Sequence, residues 1–324
     1  MTGEAAGKLL LFGEHAAVYG RPAVGLGVPW SLRLRFVPAR EGDETGTAAE
    51  RLRDACRRIG IDAPPAGALE VRSGIPFGVG LGSSAALCVA LARAVGGAAA
   101  ASGARELWDR AHRAEHAFHG SPSGIDTGLA LLGGVQRFTS AGPGNVPAAR
   151  PIAVQGIHLV AGFVPRRGDT AAHVAAVRQR MQAGDAEVRA AIDRLGAIVE
   201  PACRLLGAPA ADRAVRLGAL ADEAGALLND IGVGSPVVAD LLAAARVAGA
   251  TGGKISGGGG GGAFVAFVPD RATGVAVLDA VAARLPGGPG SAVALLALEP
   301  GGTAMLAGRE WPAPVTRRVR IIRS

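Results

Sequence analysis

At 324 residues, 49% of them hydrophobic, the chain is long enough for two domains and a large core, yet its apolar runs stop well short of a membrane span. A formal charge of +7 would suit nucleic acid, but the 32 arginines are spread along the chain and aromatics make up only 4%, too few for base stacking. Three scattered cysteines, Cys56, Cys88 and Cys203, lack metal-ligand spacing and fit reduced thiols in a cytoplasmic protein.

The opening MTGEAAGKLLLFGEH carries an acid before its apolar run and does not read as a signal peptide. Residues 7–12 predict a short strand that ends at Gly13-Glu14-His15. Residues 31–37 alternate Leu32, Leu34 and Phe36 with Arg33 and Arg35, a strand with one wet face. A polar loop over 41–47 precedes a helix over 48–58 and a strand over 68–72.

Next comes IPFGVGLGSSAA, residues 75–86, in which Gly78, Gly80 and Gly82 lead through Leu81, Ser83 and Ser84 into an apolar helical pattern. A glycine-rich loop opening a helix is an anion cradle: the backbone approaches closely and free N–H groups point at the ligand. The serines add hydroxyls for a helix cap and for a phosphate or metal ion. Neither a Walker A lysine nor the dinucleotide glycine spacing is present. The glycines alone also fit an ordinary loop before a capped helix.

A second helix spans 105–118 and carries His112, Glu115 and His116, the H-x-x-E-H spacing of inverted zinc peptidases. A turn-rich passage, HGSPSGID, then delivers Asp126. A strand over 133–138 leads to TSAGPGNVPAARP, residues 139–151, which reads as an interdomain linker. Beyond it lie a strand over 157–164 and helices over 171–181, 187–206, 211–228 and 236–247. Lys254-Ile255-Ser256 then runs into six consecutive glycines, 257–262, and a strand over 263–268. A helix over 272–284 and a strand over 292–298 complete the pattern. Mixed helices and antiparallel-looking strands give an α+β class with two domains, 1–150 and 151–324.

Lys8 is one of only two lysines among 34 basic residues, so it marks a place for a compact ammonium beside a reacting oxygen. Asp126 is a candidate base for a hydroxyl. Glu115 alone would be an ordinary helix carboxylate.

Four blocks now agree in order along the chain: GKLLLFGEHAAVYGRPAVGLGV, IPFGVGLGSSAA, EHAFHGSPSGID and KISGGGGGGAFVAF. They resemble the GHMP family of small-molecule kinases, and its mevalonate kinase branch most of all. The resemblance implies a ribosomal-protein-S5-like N-terminal domain and a ferredoxin-like C-terminal domain, with ATP, Mg²⁺ and substrate in the cleft between them. It implies that Asp126 is the catalytic base and Lys8 its partner, with Ser84 and Glu115 as Mg²⁺ ligands. Gly78, Gly80, Leu81, Gly82, Ser83 and Ser84 would form the phosphate loop, joined by Gly258, Gly259 and Gly260 of the third motif. Glu14, His15 and Thr170, which follows Val164-Pro165-Arg166, fall on the substrate side.

The match departs from the usual pattern at Gly258 and Ala263, where the family has an Ala and often a Cys. Galactokinases usually continue Gly-Glu-His with Thr-Asp, whereas Ala16 and Ala17 stand here. Phosphomevalonate kinases usually carry Tyr at position 15, and the related decarboxylases lack the lysine. The implied acceptor is mevalonate, with another GHMP-family substrate as the alternative. A cytoplasmic enzyme with neither nucleic acid nor membrane as partner is expected, with a homodimer as its candidate assembly. A basic RNA-binding module on an S5-like fold is disfavoured by the intact Lys8, Ser84, Glu115 and Asp126.

Overall fold

The computed structural model describes residues 1–61, 67–96, 103–142, 145–166, 170–287, 290–300 and 302–321. Its first sheet is built on two long antiparallel strands, β1 (Thr2–Phe12) and β2 (Ala23–Val37). The outer half of β2 alternates as its sequence demands, with Trp30, Leu32 and Leu34 buried and Ser31, Arg33 and Arg35 exposed. Its inner half is buried on both faces and so lacks that alternation. There Gly25 and Gly27 let backbones touch: a methyl group at 25 would lie 2.8 Å from the carbonyl oxygen of Leu9, and one at 27 would lie 2.9 Å from Cα of Gly133. Strand pairing therefore extends β2 well beyond the predicted 31–37, and extends β1 back to Thr2.

The remaining strands of this sheet are β3 (Ala68–Ser73), β4 (Val135–Thr139), β5 (Ala148–Ile152) and β11 (Val315–Arg320), in the order β11-β3-β2-β4-β5 with β1 paired to β2. Two features depart from the sequence reading. The stretch 139–151 is not a linker, because β5 pairs antiparallel with β4 from Thr139↔Ala148 to Val135↔Ile152. Pro151 is tolerated there because β5 is an edge strand and its outward side needs no N–H. A cut at residue 150 thus divides β5. It also assigns β11 to the other half, although that strand pairs with β3.

Helices α1 (Thr47–Arg58), α2 (Ser83–Gly96), α3 (Ala104–Glu115) and α4 (Ile125–Leu132) accompany this sheet. α2 packs on β1, and every residue from Ala85 to Ala92 is buried. Its sequence is apolar all round, as a central helix requires.

The second sheet is antiparallel throughout, in the order β10-β9-β6-β8-β7, from β6 (Ile157–Val164), β7 (Gly252–Ile255), β8 (Gly262–Val268), β9 (Ala292–Glu299) and β10 (Gly302–Arg309). With it go α5 (Thr170–Gln182), α6 (Ala186–Gly207), α7 (Arg213–Asp230), α8 (Pro236–Val247) and α9 (Arg271–Ala282). Side-chain caps at Asp185, Ser235 and Asp270 start α6, α8 and α9.

Much of the small aromatic complement joins the two sheets. Trp311 stacks on Trp30 with ring centroids 3.6 Å apart, and Phe163 meets Trp311 edge-on at 5.3 Å. Phe12 lies over Phe267 at 6.0 Å. Such pairs add roughly 0.5–1.5 kcal/mol each beyond the area they bury. No helix among the described residues is long and apolar enough to cross a membrane.

Candidate active site

The edge of β1 lies against the glycine-rich loop because the Lys8 N–H donates to the Leu81 carbonyl at 2.9 Å. That bond sets the Lys8 side chain beside the loop. Its Nζ reaches Asp126 at 3.0 Å, with the lysine side chain 4% exposed and the carboxylate 34%. Asp126 is the second residue of α4. The chain is turned into that helix by Gly124, whose φ of +76° suits glycine and whose carbonyl accepts from Trp108 Nε1 at 2.9 Å. Two residues 118 positions apart in sequence thus form one ion pair. The lysine is buried and the carboxylate is partly exposed.

Gly78, Gly80 and Gly82 have φ of +78°, +91° and +79°, so the loop needs glycine at all three positions. Leu81 is buried, while Ser83 and Ser84 are half-buried as the first residues of α2. Across the loop sits a residue that the sequence did not single out, Arg166. A methyl group at Gly80 would lie 2.6 Å from its Nη2, and one at Gly262 would lie 2.6 Å from its Nε. The guanidinium is therefore held between the first glycine-rich loop and the third glycine run. Burial pulls its pKa down, and the negative charge of Asp126 opposes that shift.

Glu115, at the end of α3, is buried. Thr127 Oγ1 donates to its Oε2 at 3.3 Å and to the Gly124 carbonyl at 3.1 Å, while His112 Nδ1 stands 3.8 Å away. Thr127 is a second residue that the sequence did not single out. Burial and the Glu115 charge both push the Cys88 thiol well above its usual pKa. Cys88 and Ser84 are four apart on α2, and hence on one helix face. Ser84 Oγ is hydrogen-bonded to His119 Nε2 at 3.1 Å. The zinc-peptidase spacing does not assemble a site: no group of three or more His, Cys, Asp or Glu able to hold a metal occurs among the described residues.

The third motif is anything but slack. Gly257, Gly259, Gly260, Gly261 and Gly262 all have φ between +72° and +116°, and the Gly260 N–H donates to the Val233 carbonyl at 3.1 Å. Gly258 meets the first motif where its backbone faces the His15 ring and favours the protonated imidazole. Glu14 is buried and ion-paired with Lys254. Thr170 opens α5, and its side chain lies outside the described residues.

His15 itself has φ of +59°, a left-handed conformation uncommon for a side-chain-bearing residue and frequent at functional sites. Burial lowers its pKa from 6.5 to about 4, the nearby His173 contributes to the shift, and the Gly258 backbone opposes it. The imidazole is thus neutral at pH 7. Below pH 6.5 the unfolded chain binds a proton that the folded one refuses, so stability falls as pH drops and the effect is complete below about pH 4. The loss is at most about 3 kcal/mol, since His15 is only half-buried. Denaturant titrations from pH 7 to pH 4 should show this slope in the wild type and a shallower one in His15→Gln.

Two family models cover just over half of the chain. GHMP kinases N terminal domain matches residues 45–134 and GHMP kinases C terminal matches residues 206–287. The chain belongs to the GHMP kinase family. Among GHMP kinases it is similar to the mevalonate kinase of Thermococcus gammatolerans, at 30% identity over 86% of this chain and 92% of that one. The mevalonate kinase of Pyrococcus horikoshii is 28% identical over the same shares. The fold resembles that of L. major mevalonate kinase, solved in complex with R-mevalonate, with a TM-score of 0.73 and 23% identity over 99% of this chain and 96% of that one. As a GHMP kinase with both family domains, the chain is an ATP-dependent kinase and not an RNA-binding module on a borrowed fold.

Proposed function

We propose that this GHMP kinase transfers the γ-phosphoryl group of ATP to the 5-hydroxyl of mevalonate, releasing ADP and 5-phosphomevalonate. The observation that carries the reading is the Lys8–Asp126 pair, 3.0 Å apart at the mouth of the glycine loop. The similarity to curated mevalonate kinases supplies the acceptor. In this reading Asp126 takes the hydroxyl proton as the new P–O bond forms and the bond to ADP breaks. Lys8 stabilises negative charge on the attacking oxygen. The loop N–H groups and the Arg166 guanidinium face the transferred phosphoryl, where fixed donors count most. Glu14 and the neutral His15 stand on the acceptor side, with Thr170 as a further acceptor contact.

The donor set suits Mg²⁺. Ser84 and Glu115 offer a hydroxyl and a carboxylate, hard oxygens of the number Mg²⁺ takes from protein when phosphates and waters complete its shell. Thr127 holds the carboxylate in place. Bound there, Mg²⁺ supplies charge neutralisation on the nucleotide phosphates. A cytoplasmic setting belongs to the same reading, in keeping with three buried, unpaired cysteines.

Incubation with Mg-ATP and a panel of mevalonate, phosphomevalonate, galactose and simple polyols, read as ADP release, tests the acceptor. Mevalonate should give the highest kcat/KM by at least about tenfold. This is the discrimination expected when a site built for one acceptor's polar groups leaves them unpaired with another. A higher value for phosphomevalonate or a sugar would move the chain to another branch of the family.

A further inference from the structure

The second of the chain's two lysines has no part in the chemistry above, yet it is fully buried. We propose that Lys254 is a positioning residue: its ammonium pins the Gly13-Glu14-His15 turn to the third glycine run and so fixes the acceptor side of the site. This inference rests on the kinase reading.

Lys254 lies on β7 of the second sheet, and Glu14 follows β1 of the first. Their ion pair spans the junction with both side chains 0% exposed. A second ammonium hydrogen goes to the Ile255 carbonyl at 2.9 Å, and the Phe12 ring centroid lies 5.9 Å away. A further bond runs the same way: Ser256 Oγ donates to the Leu10 carbonyl at 2.8 Å. Alternate residues 254 and 256 are thereby tied to residues 14 and 10.

Stability alone is a poor reason for this pair. Burying two charges costs desolvation that their attraction barely recovers, and apolar replacements are often equally stable. Here Glu14 Oε2 is buried with no partner among the described residues, so the pair is not even fully satisfied. What the pair provides is a fixed geometry. Glu14 and His15 cannot shift relative to the glycine run without separating buried charges. The residue type agrees: arginine fills 32 of the 34 basic positions, but its broad planar head does not fit a site sealed by an aromatic ring, a carboxylate and a carbonyl.

The test compares wild type, Lys254→Met and Lys254→Arg, the last retaining charge in case the first folds poorly. Lys254→Met should raise KM for mevalonate at least tenfold while KM for ATP changes less than twofold, with Lys254→Arg in between. Loss of kcat alone, with both KM values unchanged, means a smaller folded fraction and overturns the proposal. Hydrogen exchange provides a readout free of the reaction. Amides of residues 13–16 and 256–260 should exchange faster together in either variant, while those of 85–92 stay protected. Unchanged exchange at both segments overturns the latch. Wild-type protein inactive on mevalonate but showing the coupled exchange would sink the acceptor assignment and leave the latch standing.

Discussion

Replacing Asp126 with Asn should lower kcat by at least about 10²-fold while ATP affinity stays within a few-fold of wild type. Asparagine keeps the size and the second-residue place in α4, so the loss isolates the charge and the proton acceptor. The partner matters equally. Lys8 is 3.0 Å from the carboxylate and nearly buried, so Lys8→Met removes the cation that orients Asp126 and stabilises the attacking oxygen. Residues acting as one unit are not additive, and the double variant should lose less than the product of the single losses. Because the phosphoryl-transfer transition state is loose in most descriptions, part of the effect is alignment and not proton removal. Single-turnover rates and nucleotide titrations on the three variants separate these effects. A kcat near wild type for Asp126→Asn would take this residue out of the mechanism.

Gly82→Ala should be nearly as damaging, although the residue bears no functional group. Its φ of +79° costs an alanine about 1–2 kcal/mol. The added methyl would lie 2.5 Å from Cγ and 3.2 Å from Cε of Lys8, so the lysine must move. A displacement near 1 Å in an aligned site costs roughly 10²-fold in rate. Gly60→Ala is the control, since φ there is +81° with nothing within 4 Å of the added methyl and no place in the site. It should lose similar stability and no kcat. Equal kcat for the two variants would mean that Lys8 tolerates displacement, and that the ion pair does not set the rate.

The glycine-rich loop was legible in sequence because its physics is local: alternating glycines, two serines and a helix start occupy seven residues. Lys8 stood out only because arginine is the default base of this chain, and that rarity marks Lys254 equally. Arg166 had the opposite fate. One arginine among 32 carries no signal until the fold places it between Gly80 and Gly262. Thr127 was hidden for a related reason, since its contact with Glu115 joins two helices across a turn. Strand errors follow the same logic. Alternation revealed the outer half of β2 but not its glycine-rich inner half, buried on both faces. Proline and alanine disguised β5 as a linker.

Strand β11 carries a consequence for how the molecule is assembled. It covers the β3 edge, and its arginines clasp the loop before α1: Arg318 Nε reaches Asp43 Oδ1 at 2.8 Å and Arg317 Nε reaches Glu44 Oε1 at 2.8 Å. Topologically the whole second sheet is an insertion between β5 and β11. During synthesis the N-terminal portion, emerging first, must therefore wait with an open β3 edge while more than half of the chain is still being made. The pairing runs across 242 residues even at its nearest pair, Ser73 to Val315, and contacts so non-local form late. The first sheet is complete only when the last strand arrives.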